Sequence, residues 1–377
     1  MYIKSLVIDH LKNLPGWKTK RKIVVFSVDD YGNVRIDSKE AKDRLIKSGL
    51  KLQSHFDHFD AMETKDDLEI LLETLQSVKD KHGNSAIFSA FALPCNIDFD
   101  SMRESANQDY VYELLPVTLE KLSSRYPKAY DGAWKLWQEG IHLGLLSPQF
   151  HGREHLNLKV FSEKLQQKNK EVMSCLENNS YAGISSSGYH TISFTAAFDF
   201  WSSQEIETFK KIIDTGITNF ATVFGYKPIH FNAPGTTASS KIHDWLFGNG
   251  IRFIDNPFLK NEHLGEGKYR KKLHFTGQKL EGGLTNINRN VVFEPCLNDR
   301  DWVSYTIKQV EAAFRCDKPA IISSHRVNFS GHIDEKNRNR GIFELKRLLN
   351  GFEKKWPDIE YLSSEELCRI IGKESNP

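Results

Sequence analysis

The sequence has few cysteines and shows no pattern among them. Its 377 residues include five, at Cys95, Cys175, Cys296, Cys316 and Cys368. The count is odd and no two are spaced as a CxxC pair, so neither a disulfide framework nor a thiolate zinc site is expected. We interpret the five thiols as reduced, mostly buried side chains of a cytoplasmic protein.

Long apolar runs and an excess of one charge are also missing. No apolar run approaches the roughly 18–20 residues of a membrane span, so none is expected. The 51 Lys and Arg residues nearly balance 49 Asp and Glu residues, which argues against nucleic-acid binding through phosphate contacts. Residues 1–22 contain no uninterrupted apolar segment and no small-residue cleavage site. We therefore expect no signal peptide and a cytoplasmic location.

The overall composition is that of a globular protein, with 39% hydrophobic and 27% charged residues. No repeat is visible, and no linker rich in Pro, Gly or Ser is long enough to mark a boundary. Residues 1–377 are therefore predicted to form one domain with long insertions. Short apolar segments alternate with segments of helical periodicity, which indicates an α/β fold with a parallel sheet, either a barrel or doubly wound.

Local signals predict several strands and helices. Strands are expected at 23–28, 86–92 and 319–324, and helices at 38–48, 202–223, 301–314, 334–355 and 363–371. Thr64 is expected to cap a further helix, because apolar residues at helical spacing follow it. In parallel α/β folds the reactive residues lie at the carboxyl ends of strands. Asp29, Asp30 and His325 occupy such ends.

The segment 148–157 contains two histidines four residues apart. On a helical turn His151 and His155 would share one face, and with a carboxylate they could hold a metal ion that keeps an open position. This spacing is also found among surface and core histidines. The segment is not the HExxH of zinc proteases, because Glu154 directly precedes the second histidine.

Asp29 and Asp30 are adjacent carboxylates at the end of a strand. One of them could bind a metal while the other acts as general base, although such a pair can also cap a turn. His325 ends another apolar strand and precedes Arg326. It is a candidate general acid with a neighbouring cation, or a structural histidine.

Several weaker features suggest the wall of a pocket. The loop 231–236 contains Pro and Gly, and such a loop can present a backbone N–H to an oxyanion or form an ordinary turn. The segment 55–60 has two histidines and two aspartates, and we interpret it as a connection that lines a pocket or simply turns. Trp134, Trp137 and the segment 289–295 could face a sugar, although core packing explains the tryptophans equally well.

The order of these motifs resembles the polysaccharide deacetylase family, carbohydrate esterase family 4, which includes chitooligosaccharide deacetylases. The motifs are scattered from about residue 22 to residue 371, and the chain is interpreted as a divergent member with longer segments between them. The resemblance implies a distorted (β/α)7 barrel of the glycoside hydrolase/deacetylase type. It also implies one divalent metal ion, expected to be zinc with cobalt, nickel or manganese as alternatives, and an acetylated sugar or polysaccharide as substrate.

Carried over motif by motif, the resemblance implies that Asp29 is the catalytic base and His325 the general acid. Asp30, His151 and His155 would be the metal ligands. The metal would lower the pKa of a water molecule and polarise the acetyl carbonyl. The base would accept the proton of that water and the acid would protonate the leaving amine, giving acetate and a free amino sugar.

One position departs from the family's pattern. Asn232 stands where the family has an arginine that pairs with the base, and Arg153 or Arg326 is the expected replacement for that charge. The backbone N–H of about Gly235 is expected to face the oxyanion.

Two other functions stay open on the sequence alone. A glycosidase, or a hydrolase of C–N bonds in small molecules, would need a second carboxylate at the reacting bond, and Glu294 is the candidate. A non-catalytic glycan-binding protein with the same barrel would need neither the base nor the metal.

Overall fold

The computed structural model describes residues 9–104, 109–185 and 192–374. Its strands are β1 (Lys22–Tyr31), β2 (Phe88–Ala92), β3 (Cys95–Ile97), β4 (Tyr112–Leu114), β5 (Gln149–Phe150), β6 (His230–Phe231), β7 (Phe253–Asp255), β8 (Leu259–Gly265), β9 (Lys268–Leu273), β10 (Thr285–Ile287), β11 (Val291–Val292), β12 (Ala320–His325) and β13 (Ile359–Tyr361).

The helices lie between several of these strands and after the last one. They are α1 (Lys39–Lys47), α2 (His55–Phe59), α3 (Lys65–Gln76), α4 (Phe99–Glu104), α5 (Leu115–Arg125), α6 (Pro127–Tyr130), α7 (Ala133–His142), α8 (Leu158–Gln166), α9 (Lys170–Glu177), α10 (Ile206–Phe224), α11 (His243–Gly248), α12 (Trp302–Arg315), α13 (Glu335–Lys355) and α14 (Ser364–Glu374). None of these helices combines the length and the apolar character that a membrane crossing requires.

Eight strands form one row of parallel neighbours, in the order β10-β7-β6-β5-β2-β1-β12-β11, and β13 also pairs with β1. β3 with β4, and β8 with β9, form antiparallel pairs outside this row. β1 lies inside the row and is buried on both faces, which explains its continuous apolar sequence.

Buried side chains from distant strands of the row share one cluster. Ile23 of β1, Phe253 of β7, Ile287 of β10 and Ile321 of β12 belong to it, together with Leu367 of α14. β1 and β10 are separated by four strands in the row, so the sheet must curl for them to share a core. In the described residues no strand pairing joins β10 to β11, and the barrel is open along that seam. The predicted α/β barrel is confirmed, with eight strands in its row.

Helix caps follow the sequence signals closely. The Thr64 side chain accepts the Asp67 N–H, and the Asp67 carboxylate accepts the Thr64 N–H, which forms a complete capping box for α3. Asp301 caps α12. The helix predicted from residue 202 begins with a 3-10 turn, Ser203–Glu205, before α10. The segment 55–60, interpreted as a connection, forms the short helix α2.

Candidate metal centre and catalytic site

The two aspartates at the end of β1 reach the same cavity because the strand is bulged there. In a regular strand, adjacent side chains point to opposite faces. Between Val28 and Tyr31 the pairing of β1 with β2 shifts register, so β1 carries an extra residue. Asp30 has a φ of 71°, in the left-handed region that non-glycine residues rarely adopt. Asp29 and Asp30 are both buried and both line the largest cavity described below.

Asp30, His151 and His155 place three potential ligand atoms within 4.8 Å of one another. Oδ1 of Asp30 lies 3.2 Å from Nε2 of His151 and 3.1 Å from Nε2 of His155. Burial raises the pKa of Asp30, but the positive charge of His155 and His325 and the hydrogen bonds to His151 and His155 outweigh it and hold that pKa well below its usual range.

The tautomer of His151 shows that the cluster of Asp30, His151 and His155 suits a cation. Nδ1 of His151 lies 2.8 Å from the backbone oxygen of Asn232, which can only accept, so this nitrogen carries the proton. In the neutral ring, Nε2 then directs a lone pair at the Asp30 carboxylate. A protonated ring or a bound cation removes that repulsion. Two imidazoles and one carboxylate, with one imidazole held by a backbone carbonyl, are the donors of many catalytic zinc sites.

The two histidines do not lie on a helical turn. The segment 151–157, between β5 and α8, is not helical, and the helical interpretation of the spacing is wrong. Gly152 has a φ of 111°, and a Cβ there would lie 3.3 Å from the Phe198 ring, so glycine suits this tight turn. The turn brings the rings of His151 and His155 to a centroid separation of 5.3 Å.

Asp29 is held by a cation from the far side of the barrel. Arg289 donates from Nη1 to Oδ2 at 2.7 Å and from Nη2 to Oδ1 at 2.9 Å. The side-chain amide of Asn232 donates to Oδ1 at 3.0 Å. Arg289 is itself fixed by Asp255, which accepts from its Nε at 2.7 Å and from His230 at 2.9 Å. The carboxylate of Asp29 is therefore oriented beside a fixed positive charge.

The arginines expected to supply this charge lie elsewhere. Arg153 pairs with the adjacent Glu154, with Nε 2.6 Å from the carboxylate. Arg326 is buried in an ion pair with two other carboxylates. Neither lines the cavity that contains Asp29. This corrects the sequence-based expectation, because Arg289 stands beside the carboxylate instead.

His325 faces Asp29 from the end of β12. Nε2 of His325 lies 3.9 Å from Oδ2 of Asp29, and its Nδ1 lies 2.7 Å from Oε1 of Glu294. The second oxygen of Glu294 accepts from Asn328 at 2.6 Å. Both oxygens of Glu294 thus accept hydrogen bonds, one from His325 and one from Asn328, and the carboxylate orients His325. Glu294 does not line the cavity. It is not placed as the free second carboxylate that a glycosidase would need.

The charge around His325 favours its protonated form. Burial lowers the pKa of His325, but the Glu294 carboxylate, aided by Asp30 and Asp29, outweighs burial and raises it to about 10. The side chain retains 30% exposure and packs edge-on against Phe56, with ring centroids 5.0 Å apart. The protonated ring therefore carries an N–H that remains accessible from the cavity.

The cavity around these groups has a volume of about 800 Å³, within the range of small-molecule sites. Asn232 and Gly235 line it together with the two histidines. Arg35, Phe56 and Phe194 also line the cavity, and the Arg35 guanidinium lies 5.4 Å and 5.8 Å from the two ring centroids. The lining therefore combines aromatic rings with polar and charged groups.

The tryptophans considered for sugar binding lie on α7, outside this cavity. Trp137 is fully buried, and its indole N–H donates to Glu63 at 2.7 Å. Its ring meets Tyr31 edge-on. Trp137 is therefore a core residue, and Trp134 packs partly buried against the same core.

The sequence did not reveal Arg289 as the partner of Asp29, and it offered Glu294 only as the candidate second carboxylate of a glycosidase, not as the partner of His325. Arg289 follows the last residue of β10 by two positions, and Glu294 follows the last residue of β11 by two. The rule that selects residues at the carboxyl ends of strands would have found both. Strands of two and three residues leave almost no periodic signal, so these two strand ends cannot be recognised in the sequence.

No protein-family model matches the sequence, and no curated protein matches it significantly. Solved structures similar to the chain include a candidate polysaccharide deacetylase from Mycobacterium smegmatis, with 11% identity over 96% of this chain and 93% of the other and a TM-score of 0.46. A GH57-type branching enzyme from Pyrococcus horikoshii has 10% identity, over 93% and 70%, with a TM-score of 0.47. A candidate polysaccharide deacetylase from Pseudomonas aeruginosa has 9% identity, over 94% and 92%, with a TM-score of 0.46. Similarities this weak identify no activity for this chain.

Proposed function

We propose that this protein is a metal-dependent hydrolase of the polysaccharide deacetylase type, which removes acetyl groups from an N-acetylated or O-acetylated sugar. One observation carries the proposal. Asp29 and His325, oriented by groups of opposite charge, stand 3.9 Å apart in the cavity that also contains Asp30, His151 and His155. A base, an acid and a set of metal ligands in one cavity are the parts that hydrolysis of an acyl group requires.

Asp30, His151 and His155 would hold the ion. A divalent cation bound there would polarise an acyl carbonyl and lower the pKa of water, and zinc suits these donors. Asp30 Oδ1 supplies the negative charge. Nδ1 of His151 keeps its proton and donates a hydrogen bond to the Asn232 carbonyl, which leaves Nε2 free to bind.

The remaining groups would move the protons. Asp29 would accept a proton from the attacking water, while Arg289 and Asn232 keep its carboxylate in place. His325 would donate its Nε2 proton to the leaving nitrogen or oxygen, while its Nδ1–H continues to donate a hydrogen bond to Glu294. The backbone N–H of Gly235 is the proposed donor to the developing oxyanion.

The reaction is tested by measuring acetate. The zinc-loaded protein is incubated with N-acetylated and O-acetylated mono- and oligosaccharides, and free acetate is quantified together with new amines and reducing ends. We expect acetate in a one-to-one ratio with the new amine or hydroxyl group. New reducing ends without acetate would instead support the glycosidase alternative, and sugar binding without either product would support a non-catalytic binder.

Glu294→Gln is expected to move the alkaline limit of activity to lower pH. The raised pKa of His325 keeps it protonated well above neutrality, and this acid form is lost as pH rises through that pKa. Without the Glu294 carboxylate, the effect of burial dominates and the pKa of His325 falls. His325 then loses its proton at a lower pH than in the parent. We expect the alkaline limb of kcat/KM to shift down by about 1 pH unit or more.

The matched control for this change is Glu266→Gln. Glu266 is an exposed carboxylate paired with Lys268 at 3.0 Å in the β8–β9 hairpin, outside the catalytic cavity. Its pH profile should match that of the parent. An unchanged alkaline limb in Glu294→Gln would show that His325 is not the acid that limits turnover at high pH.

A further inference from the structure

A second cavity of about 320 Å³ lies apart from the catalytic one and shares no lining residue with it. Its walls come from the start of α11, the β8–β9 hairpin and the segment 274–281. Three lysines line it: Lys260, Lys272 and Lys279. The proposed hydrolysis uses none of these lysines, so this basic cavity has no role in that reaction.

Lys260 is an unusual cation because it is only 6% exposed. Its Nζ donates to the backbone oxygen of Ala238 and to Oδ1 of Asn256, both at 2.8 Å. Both acceptors are neutral, and no described carboxylate forms an ion pair with it. The nearby Glu262 is already paired with Lys272 at 2.6 Å. Burial lowers the pKa of Lys260 to about 8, which reflects a charge that lacks a direct counterion.

Two histidines at this cavity also have unmet hydrogen-bonding capacity. Nδ1 of His243 donates to the backbone oxygen of Glu281 at 3.1 Å, so its Nε2 is an acceptor in the neutral ring. Among the described residues, Nε2 of His243 and Nδ1 of His274 are buried without a partner. A buried ring nitrogen without a hydrogen-bond partner lowers the stability of the folded protein. A ligand that hydrogen-bonds to the two rings, once they turn toward the cavity, would recover this free energy.

We propose that this second cavity binds the oxyanion of a small molecule, either a phosphate or a carboxylate group, with Lys260 as its buried anchor. The three lysines outnumber the two lining carboxylates, Glu262 and Glu281, so the cavity has an unbalanced positive charge. Ammonium groups are compact donors suited to oxygen anions. A protonated oxygen or hydroxyl group of the ligand would also supply the hydrogen that Nε2 of His243 lacks. The volume fits inorganic phosphate or a small metabolite and is too small for an oligosaccharide.

The proposal is tested by titrating the full-length protein with inorganic phosphate and, separately, with acetate, at constant ionic strength maintained with chloride. Binding is followed by calorimetry and by the rise in Tm. We expect one of the two anions to bind at a single site, which identifies phosphate or carboxylate as the preferred group. Lys260→Met, which keeps the length and loses the charge, should weaken that binding at least tenfold.

Three variants make the result decisive. Lys272→Gln alters a partly exposed side chain of the same cavity, so it should weaken binding even if Lys260→Met fails to fold. Lys268→Gln, in the same hairpin but outside the cavity, should bind as the parent does. The double variant His151→Ala/His155→Ala should also bind the anion, since the catalytic centre is not involved. No binding of either anion, or equal binding by the parent and both cavity variants, would overturn the proposal. So would binding that is lost only in the histidine double variant.

Discussion

Asp29→Asn is expected to lower kcat by about 10²- to 10⁴-fold, the usual contribution of a general base, while the metal content stays that of the parent. Asparagine has the shape of aspartate, and its oxygen at the Oδ1 position can still accept from Nη2 of Arg289 and from Asn232, although its NH2 group cannot accept from Nη1. It cannot accept the proton of the attacking water. Acetate release gives kcat, and elemental mass spectrometry gives the metal content of the same samples.

The adjacent Asp30 supplies the contrast. Both histidine Nε2 atoms converge on Asp30, whereas Asp29 meets Arg289, so Asp30→Asn should lose metal as well as activity. Asp57→Asn is the control within the same cavity, because Asp57 pairs with Arg35 at 2.9 Å, and it should lose far less activity. If Asp29→Asn loses the metal and Asp30→Asn retains it, the two roles are reversed.

The different environments of Asp29 and His325 explain how one site would contain a base and an acid at the same pH. Arg289 places a fixed positive charge beside the Asp29 carboxylate and holds both of its oxygens in place. Glu294 places a negative charge beside the imidazole, which favours the protonated form that donates one. The pair of Asp29 with Arg289 and the pair of His325 with Glu294 therefore face each other in the cavity with their charges reversed. Such different environments are expected where one group is to act as a base and the other as an acid.

The strand ends were the most informative part of the sequence. Asp29, Asp30 and His325 follow apolar segments that are long enough to recognise as strands, and the structure places all three in one cavity. The sequence could not show that two adjacent aspartates face the same side. That depends on the bulge in β1 and on the φ of 71° at Asp30, both set by pairing with β2.

The partners of these residues depend on long-range geometry. Asp29 and Arg289 are 260 positions apart, and they meet because the sheet curls until the end of β10 faces the end of β1. No local pattern encodes that curl, which results from the packing of the whole barrel. Arg153 and Arg326 adjoin motif residues in the sequence, but in the fold both pair with other carboxylates and neither lies beside Asp29.

The histidine pair shows that a pattern can select the right residues for the wrong reason. The four-residue spacing suggested a helical face, whereas the segment turns at Gly152 and is not helical. The rings converge because both are directed at Asp30, and the Asn232 carbonyl fixes one of them. Spacing therefore identified candidate ligands but not the backbone that presents them.

The double variant His151→Ala/His155→Ala is expected to lose both the metal and the activity. The parent should bind about one equivalent of zinc or a similar ion, and the variant, with one carboxylate of the three ligands left, should bind none at the same concentration. Acetate release should fall to background, because the chemistry of the ion is lost entirely. Zinc should also raise the Tm of the parent, by stabilising the folded state by about 4 kcal/mol at 1,000 times its Kd, and should leave the variant unchanged.

His82→Ala is the control for this variant, because His82 is an exposed histidine, with 57% of its side chain accessible, far from the ligand cluster. It should match the parent in metal content and in turnover. A chelator should remove the activity of both proteins, and added zinc should restore it. If the double variant keeps its metal and its turnover, the ion binds elsewhere. If the parent takes up none of zinc, cobalt, nickel or manganese, the hydrolytic proposal is wrong, and the cavity with its aromatic and polar walls would then be better explained as a glycan-binding site without catalysis.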